Sequence, residues 1–206
     1  MLQYFDISPA NKNLKLEKFL SKTEKDLAKF FGIKIDKPKI FFVNSRKDMD
    51  KIWSEKTEDW FSGWAVNSNI FILHPEKFNK ESSHKKIDFW KTLKHEYVHL
   101  YFTKLTGCRY PKWLNEGLAC YLADQVKVKI GVDKSVRVFS YFKKYDSMIY
   151  FTGYFWVKLL IKNFGHKKLL KLLKQLKPDL TEKKFANIFY KVYKIKFTKK
   201  DLSNLL

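Results

Sequence analysis

The sequence predicts an α+β chain: a small mixed β-sheet and one buried helix, followed by a mostly helical C-terminal lobe. Three observations predict it. Two short runs rich in β-branched and aromatic residues, 39–43 and 70–73, lie ahead of Pro75. An apolar helical pattern then covers about residues 88–106, with Gly107 as its stop. Beyond residue 112 the apolar spacing is helical almost throughout. At 206 residues the chain is long enough to bury a sizeable core as one domain. It reads as an upper lobe of about 1–106 and a lower helical lobe of about 107–206.

Residues 1–13 form an extended lead-in. Residues 14–31 make an amphipathic helix, because Leu16, Phe19, Leu20, Thr23, Leu27, Phe30 and Phe31 share one face and Gly32 caps it. Residues 39–43 follow Pro38 as a short strand. Ser45 and Asp48 form a capping-box start for a helix through about Ser54. Trp60, Phe61, Trp64 and the run 70–73 predict a hairpin, with Asn67, Ser68 and Asn69 as turn residues. Phe89, Leu93, Tyr97, Val98, Leu100, Tyr101 and Leu105 make the 88–106 helix largely buried. Trp113, Leu114, Leu118, Ala119, Tyr121 and Leu122 predict a second helix. A short helix over 135–142 follows, then a strong one over 150–164 stopped by Gly165. Residues 166–176 and 181–193 are helical, with Pro178 as the break between them. Thr198 and Asp201 open a last short helix.

The formal net charge is +21, and Arg46, Arg109 and Arg137 are the only arginines. Sequence-specific readers of nucleic acid lean on arginine forks, so the lysine bias argues against that class. Residues 158–206 hold 14 lysines against Asp179, Glu182 and Asp201. This predicts a solvated basic face, with weak polyanion binding through the C-terminal helices as the sharper alternative. No apolar run reaches the ~18 residues that would span a bilayer. Residues 1–13 contain no charged segment leading into a long apolar core. The expectation is a cytoplasmic monomer without a transmembrane segment. Cys108 and Cys120 are too sparse for a disulfide framework and are expected to be reduced.

The densest chemistry lies at His95, Glu96 and His99, an H-E-x-x-H pattern on the buried helix. Two imidazoles at i and i+4 lie one turn apart on one face, so their nitrogens converge on one ion. Glu96 follows the first histidine by one step and reaches the attacking water rather than the ion. A third ligand has to come from elsewhere. Glu116, in the second apolar run, is the candidate, and a His-His-carboxylate set leaves the fourth tetrahedral position open. The pattern predicts a hydrolase with one zinc ion per chain.

HEYVH at 95–99, followed by WLNEGLA at 113–119, resembles the gluzincin clan of zinc metallopeptidases, which includes aminopeptidase-N-like and thermolysin-like enzymes. It is most similar to the small single-domain members, the peptidase MA-like or minigluzincin group. The resemblance implies one zincin-like domain over 1–206, hydrolysing a peptide or protein substrate. Tyr150-Phe151-Thr152-Gly153 is similar to a Tyr-x-x-Gly segment whose tyrosine helps to stabilise the oxyanion. That likeness implies a catalytic role for Tyr150. Gly63-Trp64-Ala65-Val66-Asn67 sits where aminopeptidase-N-like enzymes carry Gly-x-Met-Glu-Asn on an edge strand. It implies that Gly63, Trp64 and Ala65 bind substrate. Val66 occupies the place of the family's amine-binding glutamate. A neutral side chain cannot pair with an ammonium, so endopeptidase-like cleavage is expected. Cys120 stands where thermolysin-like members carry an aspartate that orients the first histidine. The alternative is a catalytically silent or self-inhibited member of the same fold, acting as a basic binding module.

Overall fold

The computed structural model describes residues 6–10, 13–126 and 136–205. The chain divides into two compact units, Met1–Leu100 and Tyr101–Leu206. The first carries a small mixed sheet and the second is helical, so the α+β class predicted from sequence holds.

Four strands make the sheet among the described residues: β1 (Ile7–Pro9), β2 (Lys39–Val43), β3 (Gly63–Val66) and β4 (Asn69–Leu73). Their order is β1-β2-β4-β3, with β2 parallel to β4 and the outer pairs antiparallel. The predicted lead-in thus contributes a short strand. Asn44 fastens it, donating its N–H to the Asp6 carbonyl (3.1 Å) and its side-chain amide to the Asp6 carboxylate (2.8 Å). Asn67 and Ser68 alone make the hairpin turn, at φ 46° and 62°. Positive φ at both positions suits the twist of the flanking strands, and Asn69 joins β4, opposite Val66.

Strand register sorts the side chains onto two faces. Gly63, Ala65, Ile40, Ile70 and Ile72 share one. Helix α1 (Leu14–Phe31) buries Leu16, Leu20, Thr23, Leu27 and Phe31. Its ends match the sequence reading, with Asn13 accepting from Lys15 N–H and Gly32 at φ 68°. Phe19 meets Trp90 at 4.9 Å between centroids, which ties α1 to helix α3 (Phe89–Thr106). The opposite sheet face stacks Phe41 on Phe71 (5.0 Å) and Phe71 on Trp64 (4.9 Å). Helix α2 (Arg46–Trp53) runs between Ser45 and Ser54 as its caps, and its last residue, Trp53, sets its ring edge-on to Trp64. Arg46 gathers the loop ahead of β3, donating to the carbonyls of Glu58 (3.0 Å), Asp59 (3.1 Å) and Phe61.

Helix α3 (Phe89–Thr106) crosses the division between the units. In the second unit, α4 (Lys112–Leu122), α5 (Met148–Leu173), α6 (Glu182–Tyr193) and α7 (Lys199–Ser203) follow. The aromatic core around Phe185 includes Trp113 at 6.0 Å and Phe197 at 5.1 Å. Helices α4 and α5 meet backbone to backbone at Gly117 and Gly153. A Cβ on Gly117 would lie 2.7 Å from Gly153 Cα.

Three sequence expectations shift. The 135–142 helix is a single 3₁₀ turn, Val136–Phe139, and Ser135 lies outside the described residues. The carbonyls of Tyr141 and Phe142 instead accept the first N–H groups of α4, from Trp113 (3.1 Å) and Lys112 (3.0 Å). Helix α5 starts at Met148 rather than residue 150, because Asp146 accepts from Met148 N–H at 2.8 Å. It ends at Leu173, short of residue 176, where the bonding tightens to Gln175→Leu172 and Leu176→Leu173. Gly165 breaks the helical geometry at φ 78°, ψ 161°, so the two helices read from sequence meet there at a kink.

Candidate metal centre

The site is built on α3. A 3₁₀ turn, Lys86–Asp88, leads into it, and the Asp88 carboxylate accepts from Lys85 N–H at 3.1 Å. Leu93, Tyr97 and Val98 are fully buried, so this helix is apolar on several sides and its polar groups stand out. At its far end Gly107 takes φ 69° and donates to the Thr103 carbonyl at 2.8 Å, which closes the helix.

Among the described residues, His95, Glu96 and His99 form the group whose side chains could hold a metal ion. One ligand atom of each lies within 4.8 Å of the others. The two imidazole rings are 4.6 Å apart between centroids and 85° to one another. His95 is 5% exposed, Glu96 6%, and His99 is half-buried. Two imidazoles one turn apart are a donor set suited to a borderline ion such as zinc. The group could hold a metal ion.

Strand β3 comes right up to this group. A Cβ on Gly63 would lie 3.4 Å from Glu96 Cγ, 3.1 Å from the Phe71 carbonyl oxygen and 3.5 Å from Ile72 Cγ1. A side chain at position 63 would therefore lie against Glu96, held there by the Phe71 carbonyl. The sequence reading placed Gly63, Trp64 and Ala65 on an edge strand but had no sign of this contact. Thr92 is a further side chain it missed. It lies one turn ahead of His95 and Glu96, is buried, and its hydroxyl has no hydrogen-bond partner among the described residues. Its spacing of three and four residues from the motif was the available signal.

The remaining predicted residues belong to the second unit. Glu116 is half-buried on α4, between buried Asn115 and Gly117. Tyr150 stands in the first turn of α5, one turn ahead of Gly153. Both residues thus flank the Gly117–Gly153 crossing. The Tyr150 hydroxyl pairs with that of Tyr145, and Lys112 Nζ lies 5.1 Å over the Tyr145 ring. Tyr141 links the starts of the two helices. Its carbonyl accepts from Trp113 N–H, and its hydroxyl donates to both Asp146 oxygens (2.7 and 2.9 Å). Burial, and then the Asp146 carboxylate, push the Tyr141 phenol above its ordinary pKa. Cys120 is buried on α4.

Two other histidines are engaged locally. His84 Nε2 lies 2.8 Å from the Trp60 carbonyl oxygen, and His74 Nδ1 accepts from Glu76 N–H at 3.3 Å. No helix among the described residues is long and apolar enough to cross a membrane.

Comparison with family models, curated proteins and solved structures finds no match for this chain. The chemistry of the side chains has to stand by itself.

Proposed function

We propose that this chain is a zinc-dependent peptidase of the gluzincin type, cleaving within a peptide rather than at a free amino end. The observation that supports this most is a carboxylate, Glu96, held 6% exposed between two imidazoles on one helix. Taking a carboxylate out of water is costly, and accepting a proton beside the ion is the use this reading gives it.

His95 and His99 would hold the ion, with Glu116 as the proposed third ligand. Bound zinc would polarise the scissile carbonyl and acidify the attacking water. Glu96 accepts a proton from that water and delivers it to the leaving amine. Tyr150 donates its hydroxyl to the oxyanion, turning from its contact with Tyr145. Gly63, Trp64 and Ala65 receive the substrate backbone as an added strand. Two facts support that role: β3 ends the sheet order, and Gly63 adjoins Glu96. Val66 offers no carboxylate to a free amine, which favours cleavage away from the chain end.

The test is a peptide-library digest with mass-spectrometric readout, run beside a zinc titration. One zinc per chain is expected, with cleavage that disappears in Glu96→Ala. A chain that takes up no zinc overturns the reading. Cleavage that persists unchanged in Glu96→Ala removes Glu96 from its role.

A further inference from the structure

The positive charge is unevenly placed. Residues 101–206 carry 23 Lys and Arg against 7 Asp and Glu, whereas residues 1–100 carry 19 against 14. All 14 lysines between 158 and 200 are exposed, and Lys184, against Asp179, is the one found in an ion pair among the described residues.

These lysines are ordered by the helices that carry them. After the kink at Gly165, α5 buries Leu169, Leu172 and Leu173, and Lys167, Lys171 and Lys174 recur at helical spacing on the opposite side. Helix α6 buries Phe185, Phe189, Val192 and Tyr193, and its outer arc holds Lys183, Tyr190 and Lys191. Helix α6 touches α5 just ahead of the kink, with Phe164 and Tyr193 at 5.0 Å between centroids. Tyr190 is 48% exposed, one of the few large apolar side chains left in solvent.

We propose that this lysine face of distal α5 and α6 docks on an anionic lipid bilayer. Lysine is a mobile point charge on a long apolar stem, suited to headgroups that have no fixed geometry. An exposed tyrosine on such an arc sits naturally at headgroup depth, its ring in the apolar boundary and its hydroxyl in water. Nucleic acid fits less well. Residues 138–206 contain no arginine to fork onto phosphate or guanine, and two separated exposed tyrosines, Tyr145 and Tyr190, are not a series of stacking platforms. The docking does not depend on the peptidase reading.

The experiment is co-sedimentation of the full chain with vesicles of phosphatidylserine and phosphatidylcholine, beside vesicles of phosphatidylcholine alone. Binding is expected to the anionic vesicles only, and to be lost between about 100 and about 500 mM salt. The variant Lys171→Gln/Lys183→Gln/Lys191→Gln is expected to lower partitioning about a hundredfold, at roughly fivefold per lysine near the surface. A control with the same charge change on α1, Lys22→Gln/Lys25→Gln/Lys29→Gln, is expected to lower it less than about tenfold. All six positions are exposed, and circular dichroism checks that both variants stay folded. The proposal is overturned if the control loses as much as the test variant. It is also overturned if the chain ignores anionic vesicles, including the case in which it retains duplex DNA instead.

Discussion

Gly63 and Glu96 face one another across the gap between a strand and a helix: a methyl group on the first would lie 3.4 Å from Cγ of the second. The Phe71 carbonyl, 3.1 Å away on the next strand, prevents that methyl from backing off freely. Gly63→Ala is therefore expected to crowd the Phe71 carbonyl first, and the strand shift that relieves it moves the methyl against Glu96. Proton acceptors moved by about an ångström lose on the order of 100-fold in rate. The expected result is a fall in kcat/KM of that order with zinc content unchanged, measured by peptide hydrolysis and metal analysis on the same sample.

Removing the carboxylate's charge tests the proposed chemistry directly. Glu96→Gln keeps the shape and removes the proton acceptor. Activity is expected to fall by roughly 10²–10⁴, with zinc still bound through His95 and His99. Loss of zinc together with activity would instead make Glu96 a ligand.

The Gly117–Gly153 crossing leaves no room for a side chain. A Cβ on Gly153 would lie 2.8 Å from the Gly117 nitrogen and one on Gly117 2.7 Å from Gly153 Cα, and backbone cannot rotate away as a side chain can. Either alanine substitution is expected to cost about 3 kcal/mol or more, read from urea unfolding. Zinc affinity should weaken in the same variants if Glu116, next to Gly117, is the third ligand.

Tyr141→Phe removes a hydroxyl shared between both Asp146 oxygens while leaving its carbonyl bond to Trp113 N–H in place. Asp146 is exposed, so the expected loss is modest, about 1 kcal/mol. Because Asp146 also holds Met148 N–H, the start of the helix bearing Tyr150 should fray. Faster amide exchange at 148–150, without change at 89–99, is the expected signature.

Asp50 gives a pH dependence of known sign. Burial alone would raise its pKa, but the Thr57 hydroxyl (2.6 Å) and N–H (2.8 Å), with the Arg46 charge, outweigh burial and lower it from 3.8. A depressed carboxylate stabilises the fold above its unfolded value and loses that contribution as pH falls through the folded one. Asp50→Asn is expected to be less stable than the parent at pH 7, with the difference closing below pH 3.8. Urea midpoints across that range measure it.

What the sequence disclosed follows from how local each signal is. The end of helix α1 was legible because Gly32 acts on its own helix. The H-E-x-x-H pattern was legible because five residues of helix suffice to align two imidazoles. Strand β1 was not, since three residues carry no alternation and its pairing with β2 joins positions more than thirty apart. The early start of α5 depended on Asp146 accepting from Met148 N–H, which a pattern of apolar spacing does not contain. The approach of Gly63 to Glu96 joins the sheet edge to α3, and no spacing rule links them.

Gly165 stands in a conformation that only glycine adopts readily, and a Cβ there would meet no atom within 4 Å. Crowding therefore does not preserve the bend; the backbone of this one residue does. A single alanine would favour one straight rod through 165, swinging everything beyond it, cationic arc included, toward a new heading. The orientation of that arc is thus under the control of a single codon.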